Sequence, residues 1–547
     1  MTLVDKLLLR NIDYKGTAYD YFPKVYNVYL VAVVACISGM MFGFDISSMS
    51  SMQDFGPYKD YFKHPDELTQ GGITASMAAG SLLGSVLSPA FSDAFGRRVS
   101  LHMCSGLWIV GAVLQTAAQN QAMLFVGRII AGMGVGFGSS VAPVYTAEVS
   151  PPKIRGAVGG LFQLSITVGI LVMFLIGYGA VSMDSVASFR VAWAMQLVPG
   201  VVLLLCTFLL PESPRWLANR GRWDETTLIV EKVGRSVNVS EEELRLHINE
   251  IRERVALDEM ARDFGYADLF RAKTQRKILV GMAAQMWQQL CGMNVMMYYI
   301  VHVFKMAGFT GNQNLVSSIV QYALNVLMTI PSLFLVDRAG RRPVLIIGGI
   351  LMFTWLYAVA GILATYSVPR PDGVDGNTTV RIEIPASNRS AAKAVIACSY
   401  LFVCSFAPTW GIGIWIYCAE IFNNIERARG SALCTSVNWA FNFALAMFVP
   451  TAFKNITWKT YIIFGTFSVV LTIHAYFAFP ETKGKTLEEI DEMWDARIPA
   501  WQTASYKPEL TLMAAPKLSS GSISDATAAA HEKKAAADTP SGSAGSS

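Results

Sequence analysis

The chain has 547 residues, of which 53% are hydrophobic and only 15% charged, and its formal net charge is +4. Soluble domains carry about 25% charged residues, so most of this chain lacks a solvated surface to present, which excludes a string of soluble domains. The small basic excess sits in loops beside apolar stretches, a pattern of membrane topology rather than of nucleic-acid binding.

Residues 1–26 are polar and charged and read as an N-terminal segment without a cleavable signal peptide. A span needs about 20 apolar residues, and twelve stretches qualify: 27–49, 70–92, 99–119, 122–146, 156–180 and 188–210, then 277–304, 312–336, 343–366, 392–420, 430–452 and 457–479. The segment 211–276 between these two sets is charged. In it Ser240-Glu241-Glu242-Glu243 predicts a capping box opening an amphipathic helix through about Ala256. The expected fold is therefore an all-α membrane protein of twelve transmembrane helices in two six-helix halves, 27–210 and 277–479, joined by short cytoplasmic helices. Residues 480–547 form a tail whose last thirty or so residues, rich in Ala, Ser, Gly and Lys, are expected to be disordered.

Basic residues orient the chain. Arg97, Arg98, Lys153, Arg155, Arg338, Arg341, Arg342, Arg427 and Arg429 fall in the loops after spans two, four, eight and ten, whereas the opposite short loops hold fewer. Both termini are then cytoplasmic. Residues 367–391 face outside, and they carry the sequons Asn377-Thr378-Thr379 and Asn388-Arg389-Ser390, candidate glycosylation sites.

A duplication is visible in the loops. Asp93-Ala94-Phe95-Gly96-Arg97-Arg98 returns as Asp337-Arg338-Ala339-Gly340-Arg341-Arg342, Glu148 with Arg155 as Glu420 with Arg427, and Pro211-Glu212 as Pro480-Glu481. The order is the same in both halves, a parallel repeat expected of a transporter. All eight cysteines lie inside apolar stretches without metal-ligand spacing, and the six histidines are scattered. No metal, cofactor or enzymatic constellation is implied.

These residues closely resemble the sugar porter family of the major facilitator superfamily, over roughly 25–490. The resemblance is carried by Gly127-Arg128 with Gly132, Gly134 and Gly136; by Pro143-Val144-Tyr145-Thr146-Ala147-Glu148; and by Pro211-Glu212-Ser213-Pro214-Arg215. It is carried further by Gln288-Gln289-Leu290 with Gly292 and Asn294, and by Pro480-Glu481-Thr482-Lys483-Gly484. The stretch from Met41 to Ser50 is similar to fungal high-affinity hexose permeases. Two departures stand in the tenth span, where the family's Gly-Pro is Gly411-Ile412 and the proline after its Glu-Ile-Phe is Asn423.

A sugar carries many hydroxyls, each donor and acceptor, and burying them without partners costs several kcal/mol. Side-chain amides offer both functions without charge. The spans supply Gln163, Gln288, Gln289, Asn294, Asn325, Asn438 and Asn442, and the resemblance places all seven at sugar-binding positions. One isolated amide would be read as helix glue; seven at such positions favour ligand contact. Trp415 matches the tryptophan that covers the sugar ring, with Trp439 and Phe42 as weaker candidates. The glycines at 132, 134 and 136 read as close helix packing, since no strand precedes them to build a phosphate loop.

A second set, Asp93, Arg97, Arg98, Glu148, Arg155, Glu212, Arg215, Asp337, Arg341, Arg342, Glu420 and Arg427, is expected on the cytoplasmic side. The resemblance implies that such pairs lock the two halves while the site faces outward. Charges needed only for topology would explain the arginines but not the paired glutamates. The third element is Asp45. A carboxylate inside a span costs about 3 kcal/mol on the gentlest scale, so it is either functional or hydrated near the outer interface. Arg128 is its expected partner, because the matching pair lies together in proton-coupled members of the family.

The expected function is import of a hexose, glucose first, with a proton, by alternating access in the plasma membrane. A facilitative uniporter, a quinate-type permease and a sugar sensor of the same fold are the alternatives. Expected partners are the monosaccharide, the proton and the bilayer, with no nucleic acid; tail serines and lysines are candidates for engaging endocytic machinery.

Overall fold

The computed structural model describes residues 22–506, apart from 54, 152–153, 184, 261–265, 272–273, 376, 423–425 and 486. The N-terminal 1–21 and the tail beyond 506, with the expectations made for them, lie outside the described residues.

Three span starts in the first half have a local cause. Span one, Val28–Met52, begins where the Asn27 side chain accepts from the Tyr29 and Leu30 N–H groups. Span two, Glu67–Phe95, begins where Asp66 accepts from Thr69 N–H, and span four, Gln121–Val149, where Asn120 accepts from Met123 N–H. Each cap satisfies donors that a helix start leaves without partners. Span three is Arg97–Thr116, span five Arg155–Ala180 and span six Ala187–Thr207. The second half runs through Gly311–Ala339 (span eight), Arg341–Tyr366 (nine), Arg427–Asn455 (eleven) and Lys459–Ala478 (twelve).

Three spans are interrupted: span six at Met195–Gln196, between Ala187–Ala194 and Leu197–Thr207, and spans seven and ten. Among the described residues eleven helices are long and apolar enough to cross a membrane. The twelfth span, number seven, is in three pieces, Gln275–Leu290, Met293–Tyr298 and Ile300–Met306, because Gly292 takes a left-handed conformation (φ +88°) that ends the first. Span ten runs as Arg389–Phe406, a widened π-turn over Ala407–Gly411, and Ile412–Glu420. Pro408 lies in that turn and has no N–H to give the preceding turn. The interruption of the tenth span at Ala407–Gly411 thus lies ahead of the two positions, Ile412 and Asn423, where the family's prolines are missing.

Between the halves lie Pro214–Asn219, Trp223–Arg235 and Glu241–Met260. Ser240 caps the last through Glu243 N–H at 3.3 Å, as its sequence predicts, and this helix runs four residues past Ala256. Close approach of helices explains the glycine run in span four. A Cβ at Gly132 would stand 2.2 Å from the Met77 carbonyl oxygen, and one at Gly136 2.2 Å from that of Ser81, both in span two. The two halves meet where span two packs on span eleven, span five on span eight, and span one on span seven. The eight cysteines are free thiols, buried or half-buried.

Candidate functional site

Span seven brings an amide to the bundle interior at each turn, because Gln285, Gln288, Gln289 and, past the Gly292 break, Asn294 stay on one side. Span eleven answers with Asn438 and Asn442, one turn apart. Asn438 Nδ2 donates to Gln285 Oε1 at 2.7 Å and to Gln288 Oε1 at 2.9 Å, while its Oδ1 accepts from Gln289 Nε2 at 2.8 Å. Gln289 Oε1 accepts from Asn294 Nδ2 and from Asn442 Nδ2, the latter at 3.4 Å. Gln288 Nε2 donates to the Trp410 and Gly411 carbonyls of the π-turn at 3.0 and 3.2 Å. The amides therefore satisfy one another in a buried network, which offsets their desolvation.

This network opens into one cavity. Gln163, Gln288, Gln289, Asn294, Asn325, Asn438 and Trp415 line it together with Phe42, Ile46 and Met297. Gln163, Phe42 and Ile46 come from the first half and the rest from the second, so the cavity lies at the seam. Asn442 joins through Gln289 rather than by lining it. Asn325 has a weak contact, Nδ2 to Met297 Sδ at 4.0 Å. Trp415 stands edge-on to Phe162 at 6.1 Å. Trp439 sets its indole N–H on Ser139 Oγ at 3.3 Å and its ring against Phe42 at 4.8 Å, so it bridges the halves. A set of neutral donors and acceptors with apolar walls can hold a polyhydroxylated, uncharged solute. Sequence reasoning missed the lining residues Met293, Met297, Ile166 and Ile170, whose signal, apolar side chains in a span, is shared by every packing residue.

A second cavity is larger, about 250 Å³ against about 50 Å³, but it sits beside the linker helices and is lined by Tyr26, Glu212, Trp216, Arg222 and Glu225. Its charges are paired, Arg222 with Glu225 at 2.6 Å, and it lacks the amide set.

Asp45 and Arg128 meet. Arg128 Nη1 lies 2.9 Å from Asp45 Oδ1 and Nη2 3.2 Å from Oδ2, and both side chains are 0% exposed. That burial removes the reading of Asp45 as a hydrated interfacial residue. Arg128 also donates to the carbonyls of Ile73 at 2.7 Å and Thr74 at 3.4 Å in span two.

The charged loops build two matching knots. In the first half Arg97 holds Glu148 through Nε at 2.9 Å and Nη2 at 3.0 Å, and reaches Asp93 at 3.3 Å; Ser213 Oγ donates to Glu148 at 2.5 Å. Arg98 Nη1 donates to the Leu210 carbonyl at 3.0 Å. In the second half Arg341 forks onto Glu420 at 3.0 and 2.7 Å, Thr482 Oγ1 donates to Glu420 at 2.6 Å, and Arg342 Nη2 donates to the Tyr476 carbonyl at 2.8 Å. Glu212 and Glu481 sit on the first N–H groups of spans three and nine, where a helix start favours an anion. Burial pushes the Glu212 carboxyl above its usual range and Arg98 opposes it. Arg427 Nη2 donates to the Phe422 carbonyl at 3.4 Å; the side chains of Arg155 and Asp337 lie outside the described residues. These pairs close within their own halves. Arg429 of the second half also attracts Asp93 of the first.

Gly96 and Gly340 make the knots possible, at φ +90° and +93°, with a Cβ falling 2.6 and 2.7 Å from Glu212 Oε2 and Glu481 Oε2. Gly96→Ala and Gly340→Ala should each destabilise the protein by about 1–3 kcal/mol, from strained backbone plus the displaced carboxylate. The melting temperature in detergent checks this, and equal values to the parent refute it.

Of the two sequons, Asn377 is 4% exposed, with Oδ1 accepting from Thr379 N–H at 2.8 Å. Asn388 is half-buried just ahead of span ten.

Comparison with known proteins places these features. Residues 31–494 match the family described as "Sugar (and other) transporter". The chain is 67% identical to a high-affinity glucose transporter of Kluyveromyces lactis, over 94% of this chain and 93% of that one. It is 51% identical to high-affinity glucose transporter 1 of Candida albicans, over 91% of each. Its fold is similar to that of the major facilitator superfamily proton:xylose symporter XylE bound to 6-bromo-6-deoxy-D-glucose, with a TM-score of 0.72 and 25% identity, covering 85% of this chain and 99% of that one.

Proposed function

This chain belongs to the family of sugar (and other) transporters, a multi-pass membrane protein and not an enzyme, and from that premise we propose that it imports glucose with a proton across the plasma membrane. The observation that carries the reading is the cavity at the seam, where amides of span seven and span eleven face Gln163 and Phe42 of the other half. The relatives' names support glucose as the substrate. Domains follow the sequence: halves at 27–210 and 277–479, a cytoplasmic linker at 211–276, and both termini inside by the arginine asymmetry.

The ion pair supports coupling. Asp45 is ionised while Arg128 forks onto it. Protonation removes the charge that holds span one, whereas Arg128 keeps its bonds to the Ile73 and Thr74 carbonyls and stays with span two. Released, span one moves relative to span two and carries Phe42 and Ile46, which wall the cavity, toward the bound sugar. Binding of sugar and proton then favour one closed state, and alternating access delivers both inward.

Radiolabelled glucose uptake in a cell without its own sugar transporters tests the reading. Uptake that glucose, and galactose or xylose in lesser degree, compete for is expected; uptake competed by quinate alone would refute it. On the cytoplasmic face, Glu148→Gln removes the carboxylate that fixes Arg97 and the loop carrying Asp93, and by loosening that loop within its own half should raise the reactivity of cysteines placed there toward reagents applied from inside. A rise from outside instead would reverse the gate's direction.

A further inference from the structure

At the end of the bundle opposite the Gly-Arg-Arg loops, the segment before span ten folds into a hairpin. Val368–Pro369 pairs antiparallel with Ile382–Glu383, and Val374, Val380, Ile382 and Ile384 are buried. Four buried aliphatics are unusual for a surface connection, which normally stays solvated. The hairpin lies on the end of span seven. Ile384 N–H donates to the Met306 carbonyl at 3.0 Å, and Lys305, itself buried, turns its ammonium to Asp375, 3.5 Å from the carboxylate and 3.4 Å from the carbonyl. A Cβ at Gly308 would stand 2.4 Å from the Ile384 carbonyl oxygen, so the two segments touch backbone to backbone.

The same end carries an ion pair between the halves. Glu67, at the start of span two, lies 2.7 Å from Lys454, at the end of span eleven, and the Thr378 hydroxyl of the hairpin reaches the same Glu67 oxygen at 3.5 Å. The outer pieces of span seven are separated from the inner one at Gly292 and bring Met293, Asn294 and Met297 to the cavity wall. A clamp on their far end therefore acts on the binding site. To admit a solute from this face the halves must part here, and the Glu67–Lys454 pair must break.

We propose that Glu67, Lys454, Lys305 and Asp375 are positioning residues of the transport cycle: with the hairpin they form an outer latch that holds the outer pieces of span seven, and Asn294 with them, in the closed position. The proposal rests on the alternating-access reading. Its readout is accessibility, which is measured without transport, so the two can fail separately.

Ser50 is a suitable reporter, because its hydroxyl meets Tyr322 Oη at 2.9 Å across the seam and it is 3% exposed. In Ser50→Cys protein, labelling by a membrane-impermeant thiol reagent from outside should quicken about two- to fivefold when Lys454→Met, Glu67→Gln or Lys305→Met is added, the scale of one lost part-exposed pair. The external glucose concentration for half-maximal uptake should fall by a similar factor, while maximal uptake falls too, a split that general misfolding does not produce. The charge-swapped double variant, Glu67→Lys with Lys454→Glu, should restore both. Labelling unchanged in all three single variants, or a swap that restores nothing, overturns the latch; labelling that changes in a protein that carries no sugar overturns the transport reading and leaves the latch standing. Should a variant fail to reach the surface, Glu67→Cys with Lys454→Cys bridged by an impermeant, reducible cross-linker decides: uptake should stop and return on reduction, and uptake indifferent to the bridge refutes the proposal.

Discussion

Asp45→Asn should abolish uphill glucose accumulation and the pH dependence of uptake, while downhill exchange of sugar persists. The argument is electrostatic. Asp45 and Arg128 are both 0% exposed and meet at 2.9 and 3.2 Å, so each carries the other's charge in a medium that would otherwise expel it. Asparagine keeps the shape and one acceptor but cannot take up and release a proton. It mimics the protonated state permanently, so span one stays released and the coupling step has no second state to alternate with. Breaking a buried pair from one side commonly costs about 3–5 kcal/mol. Here the three-point hold on Arg128, with two carbonyls of span two, should limit that loss, and surface expression should survive. The check is accumulation driven by an imposed proton gradient alone. If the Asn variant still concentrates sugar under that gradient, coupling does not run through Asp45 and its pair with Arg128 is structural.

Gln289→Ala should weaken glucose binding about 5- to 150-fold, the equivalent of about 1–3 kcal/mol. Gln289 donates to Asn438 and accepts from both Asn294 and Asn442. Its loss removes one partner for a sugar hydroxyl and lets three neighbouring amides reorient in a dry cavity. Gln288→Ala should fall in the same range, since it also anchors the π-turn carbonyls. Asn325→Ala should cost less, because its contact is a thioether at 4.0 Å. Binding of glucose to purified protein, read by calorimetry, checks the order; Gln289→Ala protein that binds as tightly as the parent would remove span seven from the site.

The two outcomes together separate binding from coupling. Gln289→Ala acts on affinity at any pH, whereas Asp45→Asn acts on the proton dependence with affinity for sugar largely kept.

The number of spans, their approximate limits, the duplicated loops and the pairing of motifs were legible in the sequence, because hydrocarbon imposes a local rule: about 20 apolar residues per crossing, and charge only in the loops. The amides and Asp45 stood out by the same rule, since a polar side chain inside a span is costly wherever the rest of the chain lies. The tertiary structure alone decided what those residues touch. Glu148 was read beside Arg155, its neighbour in sequence, but meets Arg97 from another loop, and Glu212 sits on the start of span three. Pairing at long sequence distance follows from helix packing, which apolar periodicity leaves open when a span is apolar all round. Span seven shows the same division: Gly292 permits a break by its lack of a Cβ, but the packing of Phe464 against it and of the neighbouring helices settles that the break is made. The hairpin before span ten was legible only as a loop with sequons, because Ile384 meets the end of span seven at Met306, 384 − 306 = 78 residues earlier in the chain.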